Sequence, residues 1–298
     1  MIFKEEHIVP EGISDIRLSD YLSGIFVSLD SRKGCKKAID KGLVTIDNTV
    51  AKTGNFVQSG MKICIYEQDL PPVYELKLRI AYNDEHIAVV LKPPGIPVSG
   101  NSFRTIQNAI PFNIKLSNLN DALPLPRPAH RLDALTGGLL LIAKTRSALT
   151  ACNKMFEEKR IQKKYIALII GETACEGIFN SEIEGKTAIT KYRLLNSYSS
   201  NKFGKISRIL LMPETGRTHQ LRIHLAENET PIVGEHLYSQ NINNLKGNGL
   251  FLFASELEFS HPFEPMYLRL SAEEPHKFQK ILSYFTDFVK EKNVNPLQ

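Results

Sequence analysis

Strand-length apolar runs dominate the chain from about residue 79 onwards, and they do not alternate regularly with helices. The main runs read HIAVVLK, GGLLLIAKT, KKYIALIIG, KISRILLMPE and FLFASELEF. Consecutive parallel strands need a long crossover, usually a helix, whereas antiparallel strands need only a turn. This order therefore predicts an α+β domain with a mixed, mostly antiparallel sheet. An amphipathic helix is predicted over residues 278–291.

A small α+β unit is predicted over residues 15–66, in front of that domain. Leu18 and Leu22 recur at helical spacing, and Ser31 is placed to cap a second short helix that Gly42 ends. The segments LVTI and TVAK, separated by an Asp-Asn pair, predict a hairpin. Five cations lie on or just after the second helix, at Arg32, Lys33, Lys36, Lys37 and Lys41. Such a thin core indicates a binding module rather than an enzyme.

The segment 67–78 contains two adjacent prolines and is predicted to link this unit to a larger domain over residues 79–298. At 298 residues the chain can bury cores of ordinary size without cross-links. No apolar run approaches the roughly 18 residues that a membrane helix needs, and the start lacks a signal peptide's apolar core. The four cysteines are scattered without a CxxC pair. We therefore expect a cytoplasmic protein without metal or membrane, and a monomer by default.

Positive charge is concentrated in the middle of the chain. Residues 127–170 carry 9 Lys and Arg against 3 Asp and Glu, and residues 186–224 carry 8 against 1. Residues 225–298 carry 6 against 10. Such a distribution is typical of a surface that faces a polyanion, although solvated strand faces would give the same count. Nucleotide cofactors have no support, because GxxxxGK[ST] and GxGxxG are both missing.

Two segments place charged residues where a purely structural role is unusual. HRLDALTGG, residues 130–138, sets a carboxylate ahead of an apolar strand, and GRTHQLRIH, residues 216–224, sets an arginine among apolar residues. Asp133 could still be a turn cap. Arg217 and Arg222 could equally lie on an exposed basic helix face. If Arg222 is buried, its guanidinium needs a carboxylate partner.

The motifs together resemble the RluA-type pseudouridine synthases, which isomerise uridine in structured RNA. RPAHRLDALTGGLLLIAKT is similar to the family signature. KPPGIPVSG, KKYIALIIG, GRTHQLRIH and LFASELEFSHPF resemble four further family segments in the family's order. Residues 15–66 are similar to the alpha-L RNA-binding domain that often precedes the catalytic domain in this family. The resemblance covers roughly residues 15–66 and 79–270, and an ordered set of motifs is more specific than any one of them.

The resemblance implies roles for individual residues. Asp133 matches the family nucleophile, which attacks either the ribose or the uracil ring. Arg222 matches the arginine that pairs with this aspartate, and Tyr165 matches the tyrosine that lies against the target base. Arg131 matches the residue that fills the space left by the flipped-out base. The reaction involves neither redox chemistry nor hydrolysis, so no cofactor is expected.

Contacts to RNA are expected in both domains. They are His130, Arg131 and Arg217 in the catalytic domain, with His130 also expected to hold the loop, and Arg32, Lys33, Lys36 and Lys37 in the module. Phosphate contacts are further expected among Lys144, Arg146, Lys163, Lys164, Lys191, Arg193 and Arg208. Such contacts position an RNA without reading its sequence.

Three positions depart from the family pattern. The family usually has Ser at Gly137, His at Thr230 and Asp at Glu235, and we expect these changes not to touch the three catalytic residues. The prediction is isomerisation of specific uridines in structured RNA, first in large-subunit ribosomal RNA and alternatively in transfer RNA. Two rivals stay open: a non-catalytic RNA-binding or ribosome-assembly factor, and a nucleosidase acting on small molecules.

Overall fold

The computed structural model describes residues 2–26, 29, 31–67, 72–200, 203–239, 249–283 and 286–288. The chain divides into two compact units, Met1–Pro71 and Pro72–Gln298. Among the described residues, no helix combines the length and apolar character needed to cross a membrane.

The first unit contains short strands and two helices. Its elements are β1 (Ile2–Ile8), β2 (Ser14–Arg17), α1 (Leu18–Tyr21), α2 (Arg32–Asp40), β3 (Val44–Ile46), β4 (Thr49–Val50), β5 (Phe56–Gln58) and β6 (Lys62–Glu67). The strands pair in the order β1-β6-β3-β4, with β2 and β5 forming a separate pair. All of these pairs are antiparallel.

Local signals account for the elements of this unit. The Ser31 side chain accepts a hydrogen bond from the Gly34 amide at 3.2 Å, which caps α2 as the sequence predicts. Asp47 and Asn48 both have positive φ and close the tight turn between β3 and β4. α1 is shorter than its apolar spacing predicts, because the chain turns at Gly24, whose φ is +96°.

The second unit contains the longer elements. They are β7 (Arg79–Asn83), β8 (Ile87–Lys92), α3 (Ile106–Asn113), β9 (Ala122–Pro128), β10 (Gly137–Thr145), α4 (Arg146–Glu157), β11 (Gln162–Ile170), β12 (Glu176–Phe179), β13 (Thr190–Ser200), β14 (Gly204–Pro213), α5 (Gln220–Glu227), β15 (Leu252–Ser260), β16 (Tyr267–Ser271), α6 (His276–Leu282) and β17 (Thr286–Phe288).

One sheet organises this unit, with the order β12-β13-β14-β11-β15-β10-β8-β7; β16, β17 and β9 pair with β15, β13 and β10. In the described part of the chain, β10 and β15 pair in parallel and the other neighbours are antiparallel. The predicted fold class, α+β with a mixed and mostly antiparallel sheet, is confirmed. β10 is buried along its whole length, because α3 and α4 each cover one of its faces.

The contact between β10 and β15 requires a glycine. Gly138 has a φ of +123°, and a Cβ at this position would overlap the backbone of Ala254 on β15. Glycine permits both the backbone conformation and the close approach. β10 can therefore lie directly against β15, and the loop that carries Asp133 leads into the centre of the sheet.

The predicted helix over residues 278–291 is wrong in its length. α6 covers His276–Leu282, and the described residues that follow form β17, which pairs with Ser197–Ser199 of β13. Backbone pairing along a strand edge has overridden the helical spacing. The remainder of this predicted helix, and part of the predicted linker 67–78, lie outside the described residues.

Candidate active site

Asp133 lies in the loop between β9 and β10, and Lys92 holds this loop in place. The Lys92 ammonium donates hydrogen bonds to the carbonyl oxygens of Pro93, Ala134 and Thr136 at 3.0, 2.9 and 2.8 Å. The Lys92 side chain is fully buried at the end of β8. Burial lowers its pKa to about 8, and the nearby Asp133 carboxylate partly opposes this shift. The buried ammonium thus ties the segment that follows Asp133 to the end of β8.

His130 anchors the same loop to the sheet. Its Nε2 atom accepts a hydrogen bond from the Leu141 amide at 3.0 Å, and its ring lies 4.9 Å from the ring of Phe156. Burial, assisted by the charge of Lys163, lowers the pKa of His130 to about 3. The expectation that His130 holds the loop agrees with these contacts, and its contact with RNA stays a prediction.

We expect His130→Gln to flatten the acid dependence of stability. In the folded state His130 takes up a proton only near pH 3, whereas in the unfolded chain it does so near its ordinary value of about 6.5. The unfolded state therefore binds more protons across that window, and the free energy of unfolding falls as the pH falls through it. A glutamine oxygen can accept from Leu141 without titrating.

The measurement is urea unfolding at several pH values between about 6.5 and 3 for wild type and variant. His276→Gln, at an exposed position on α6, is the matched control and should keep the wild-type slope. An identical pH slope in wild type and His130→Gln would contradict the assignment.

Arg222 is buried on α5 and is paired with Glu235. Its guanidinium donates to the two carboxylate oxygens at 2.7 and 2.8 Å, with Arg222 2% exposed and Glu235 0% exposed. Burial alone would lower the pKa of Arg222, but the hydrogen bonds and charge of Glu235, together with the charge of Asp133, raise it. Arg222 therefore acts on Asp133 as a fixed nearby cation.

Two sequence expectations are corrected here. The resemblance implies that Arg222 pairs directly with Asp133, yet its carboxylate partner is Glu235. The expectation that the departure at Glu235 leaves the catalytic residues untouched is also wrong, because Glu235 contacts Arg222. The sequence signal for this partner is limited to the presence of acidic residues after α5, Glu229 and Glu235, and it does not single out Glu235. The expectation that a buried Arg222 needs a carboxylate is confirmed.

Tyr165 is on β11, opposite Leu211 of β14. It is 8% exposed and lines the same cleft as Asp133. Burial, and then the negative charge of Asp133, raise the pKa of the Tyr165 phenol. Among the described residues, none makes a hydrogen bond to its hydroxyl. The phenol is therefore protonated and available to a group that enters the cleft.

Gln220, which sequence reasoning missed, shapes the loop before α5. Its amide nitrogen donates to the Ile189 carbonyl and the Thr190 hydroxyl at 3.0 and 2.9 Å. Its amide oxygen accepts from the Thr215 hydroxyl and the Arg217 amide at 2.7 and 3.0 Å. All four bonds of this buried side chain are satisfied. Gln220 thereby fixes the loop that carries Arg217 and His219 against the edge of the sheet.

These loops enclose a cleft of about 470 Å³. The predicted residues that line it are His130, Arg131, Asp133, Lys163, Tyr165 and Arg217. Arg131 and Arg217 are exposed at its edge, and Arg222 lies behind its wall. The predicted RNA contacts Arg32, Lys33, Lys36 and Lys37 belong to the first unit. In the part of the chain that the structure describes, no group of three or more histidine, cysteine or acidic residues is arranged to hold a metal ion.

The expected phosphate contacts divide by their surroundings. The prediction for Lys144 is wrong, because this residue is 3% exposed and donates to the Asp84 carbonyl. Lys164, Lys191 and Arg208 form ion pairs with glutamates on neighbouring strands and loops. Lys163, Arg146 and Arg193 have no acidic partner among the described residues. The contact of these last three residues with RNA phosphates stays a prediction.

The other two departures have local explanations. A Cβ at Gly137 would come within 3.3 Å of both the Lys92 carbonyl oxygen and the Pro94 ring, so a serine would crowd the end of β8. The Thr230 amide donates to the Leu225 carbonyl at 2.9 Å, which closes the end of α5. Both substitutions therefore affect the packing around the loop and the helix.

Comparison with known proteins gives concordant matches. A family model described as RNA pseudouridylate synthase matches residues 86–227. The "Ribosomal large subunit pseudouridine synthase D" of Buchnera aphidicola subsp. Schizaphis graminum is 31% identical over 92% of this chain and 95% of its own length. The protein of the same name from Borreliella burgdorferi is 30% identical over 95% and 93%.

A solved structure has a related fold. It is "Human RNA Pseudouridylate Synthase Domain Containing 4", which is 24% identical and covers 69% of this chain and 92% of its own, with a TM-score of 0.56. At this level of identity the likeness concerns the fold alone.

Proposed function

The chain belongs to the RNA pseudouridylate synthase family, and from this premise we propose that it converts specific uridines of large-subunit ribosomal RNA to pseudouridine. Two relatives that match over nearly their whole length carry names that specify the large ribosomal subunit. Both relatives come from bacteria, which make their ribosomal RNA in the cytoplasm, so we place the enzyme there. We also take it to act as a monomer. Transfer RNA is the alternative substrate.

The observation that carries the proposal is the convergence of three predicted residues on one cleft. Asp133 and Tyr165 line it, and the charge of Arg222 acts on Asp133 from behind its wall. They come from a loop, a strand and a helix that are far apart in the sequence. A carboxylate beside a buried cation and a neutral phenol suits nucleophilic attack followed by proton transfer.

The reaction is an isomerisation in which every atom is retained in the RNA except the exchanged proton. The bond between the ribose C1′ and the uracil N1 breaks, the base turns, and a bond forms between C1′ and C5. The hydrogen on C5 leaves as a proton and N1 regains one. In this proposal Asp133 is the nucleophile, on either the ribose or the ring, and the flipped-out base occupies the cleft.

The pKa of the Tyr165 phenol depends on whether Asp133 is ionised or covalently bonded. Burial is the main cause of the raised pKa of Tyr165, and the Asp133 charge adds to it. If Asp133 is bonded to the uracil ring when C5 loses its proton, its negative charge is absent and one of the two causes is removed. If Asp133 attacks the ribose instead, formation of the C1′–C5 bond releases the carboxylate, and its charge raises the pKa of Tyr165 as before. Because the Tyr165 phenol is protonated, we assign to it a paired transfer: its O–H gives a proton to N1, and the phenolate so formed takes the proton from C5.

The test of the function is release of tritium from carbon-5-labelled uridine in unmodified large-subunit ribosomal RNA. Release by the wild-type chain supports the proposal. Release from transfer RNA alone would favour the alternative substrate. No release from ribosomal RNA, transfer RNA or partly assembled large subunits, together with retained RNA binding, would support the non-catalytic assembly factor. Free uridine hydrolysed to uracil would favour the nucleosidase.

Lys163 is the cation that we assign to a phosphate beside the target uridine. Its ammonium lies beside Gly216 at the cleft wall, burial lowers its pKa, and its charge acts on His130. A partly buried cation is costly unless an anion pairs with it, and among the described residues Lys163 has no acidic partner. An RNA phosphate would supply that anion.

We expect Lys163→Met to raise the KM for RNA about 10-fold and to leave kcat within about 3-fold of wild type, because the lost contact positions the RNA and takes no part in bond breaking. Lys163→Arg should restore most of the affinity. Lys186→Met, at an exposed turn, is the matched control. A change confined to kcat would contradict the phosphate assignment.

We also propose that the first unit, Met1–Pro71, binds RNA. Lys33, Lys36 and Lys37 are exposed on α2, whereas Arg32 is paired with Asp20 at 2.5 Å. Among the described residues, none forms an ion pair with these three ammonium groups, and three such groups on one short helix suit contacts with successive phosphates. This agrees with the resemblance of residues 15–66 to an RNA-binding module.

Replacing Lys33, Lys36 and Lys37 with glutamine is expected to weaken RNA binding at low salt and to reduce the slope of log affinity against log salt by about 3, because each of the three lost phosphate contacts removes about one released counterion. The binding is measured by filter retention over a range of salt concentrations. A variant with Lys4, Lys52 and Lys62 changed to glutamine loses the same charge elsewhere on the unit and serves as control. An equal reduction in both variants would show that only net charge matters.

A further inference from the structure

His219 occupies an unusual position at the entrance to α5. It is the residue before Gln220 and has φ +54° and ψ +19°, a left-handed conformation that side-chain-bearing residues adopt uncommonly. Such conformations are retained where the surrounding structure requires them, often at functional sites. Its side chain is 26% exposed and lines the cleft.

The two ring nitrogens of His219 face different groups. Nδ1 lies 2.7 Å from the Tyr238 hydroxyl, within hydrogen-bond length. Nε2 lies 3.8 Å from Oδ1 of Asp133, just beyond that length. The imidazole therefore stands between the phenol of Tyr238 and the carboxylate that we assign as the nucleophile.

Tyr238 is itself held by the buried ion pair. The Arg222 guanidinium lies 5.4 Å from the centre of the Tyr238 ring, a cation–π distance. Glu235, the partner of Arg222, also accepts from the amides of His236 and Leu237 at 2.9 and 2.8 Å. These bonds fix the turn that leads to Tyr238. The orientation of the His219 ring is thus determined by contacts that extend from Glu235.

The hydrogen bond to Tyr238 has a consequence for the other nitrogen. A neutral imidazole carries one proton, so when Nδ1 accepts from the phenol O–H, the proton is on Nε2. The N–H then faces Asp133. Catalytic hydrogen bonds are often long in a free enzyme and shorten when the substrate binds, so a separation of 3.8 Å is suited to closing around an entering uridine.

We propose that His219 is a positioning residue for Asp133: its Nε2–H, directed by Tyr238, holds the carboxylate in line with the target uridine. His219 affects only the orientation of the Asp133 carboxylate, because Asp133 alone forms the covalent bond. The inference rests on the proposed function and assigns to that site a residue pair, His219 and Tyr238, that the proposal itself does not use.

Substitution of His219 by asparagine and by glutamine tests the roles of its two ring nitrogens separately. The amide of His219→Asn falls near the former Nδ1, where it can still bind Tyr238, and leaves nothing at the former Nε2. The longer side chain of His219→Gln can place an N–H near the former Nε2. We expect the asparagine variant to lower kcat about 10- to 100-fold with the KM for RNA within about 2-fold, and the glutamine variant to recover most of the loss.

The second test is Tyr238→Phe, which removes one hydroxyl and preserves the ring against Arg222. We expect it to lower kcat about 10-fold on its own and to cause no further loss in the His219→Asn background, because the phenol acts through the imidazole. Tritium release is measured for the single and double variants, with urea unfolding to compare their stability.

Several outcomes would overturn the inference: equal kcat in the asparagine and glutamine variants, a change confined to KM, or additive losses in the double variant. Should either His219 variant be unfolded, Tyr238→Phe alone decides, and a wild-type kcat in that variant contradicts the proposal. A wild-type chain that releases no tritium would contradict the proposed function instead.

Discussion

Replacing Asp133 with asparagine is expected to abolish the release of tritium from carbon-5-labelled RNA, by about 10⁴-fold or more. The amide matches the carboxylate in size but lacks its negative charge, and its oxygen is a much weaker nucleophile. The Asp133 backbone contacts, including the bond from the Thr136 amide to the Asp133 carbonyl at 3.0 Å, do not involve the side chain. The loop should therefore keep its shape.

Binding distinguishes this expectation from a general loss of structure. RNA affinity of Asp133→Asn should stay within about 3-fold of wild type, because phosphate contacts supply most of the affinity. Glu176→Gln, which replaces an exposed carboxylate on β12, is the matched control and should retain full activity. Turnover by Asp133→Asn above a few per cent of wild type would remove Asp133 from the role of nucleophile.

Arg222→Met is expected to lower the free energy of unfolding by about 3–5 kcal/mol. The substitution leaves the Glu235 carboxylate with 0% exposure and without its cation. A buried, uncompensated charge is among the most destabilising changes that a single substitution can make. Urea unfolding at neutral pH measures the effect, and tritium release should also fall because Asp133 loses the adjacent positive charge.

The double variant Arg222→Met/Glu235→Gln separates stability from chemistry. The neutral glutamine no longer needs a cation, and its amide oxygen can still accept from the His236 and Leu237 amides. We expect the double variant to regain most of the lost stability, since removing both charges of a buried pair costs little. Its tritium release should stay low. Restored activity would show that the charge of Arg222 serves the fold alone.

The sequence predicted those parts of the site that lie within continuous motifs. Asp133 and Tyr165 are predicted because each lies in a continuous motif that resembles a family segment, Asp133 just before β10 and Tyr165 within β11. In the sequence Glu235 is only a departure from the family pattern. Its contact with Arg222 could not be predicted, because that contact depends on how the segment after α5 folds back. The spacing of residues in the sequence does not show that this segment folds back onto α5. Gln220 and Tyr238 were missed for the same reason, since their partners lie on other loops.

The errors in the fold have physical causes of the same kind. Lys144 was expected to contact RNA, but it is near the end of a strand buried on both faces, where the usual alternation of inward and outward side chains does not hold. The segment after α6 was expected to remain helical, but β13 offers it a strand edge. Tertiary contacts decided both cases, and a local pattern contains no information about them.

The parallel contact between β10 and β15 sets an order for the biosynthesis of the active enzyme. The strand that follows Asp133 is completed only when Ala254 reaches Gly138, a partner made more than a hundred residues later. A nascent chain that ends before β15 thus has the Asp133 loop without the neighbour that supports it. Contacts between such distant segments form late in folding. The chain should therefore acquire activity only after β15 has left the ribosome.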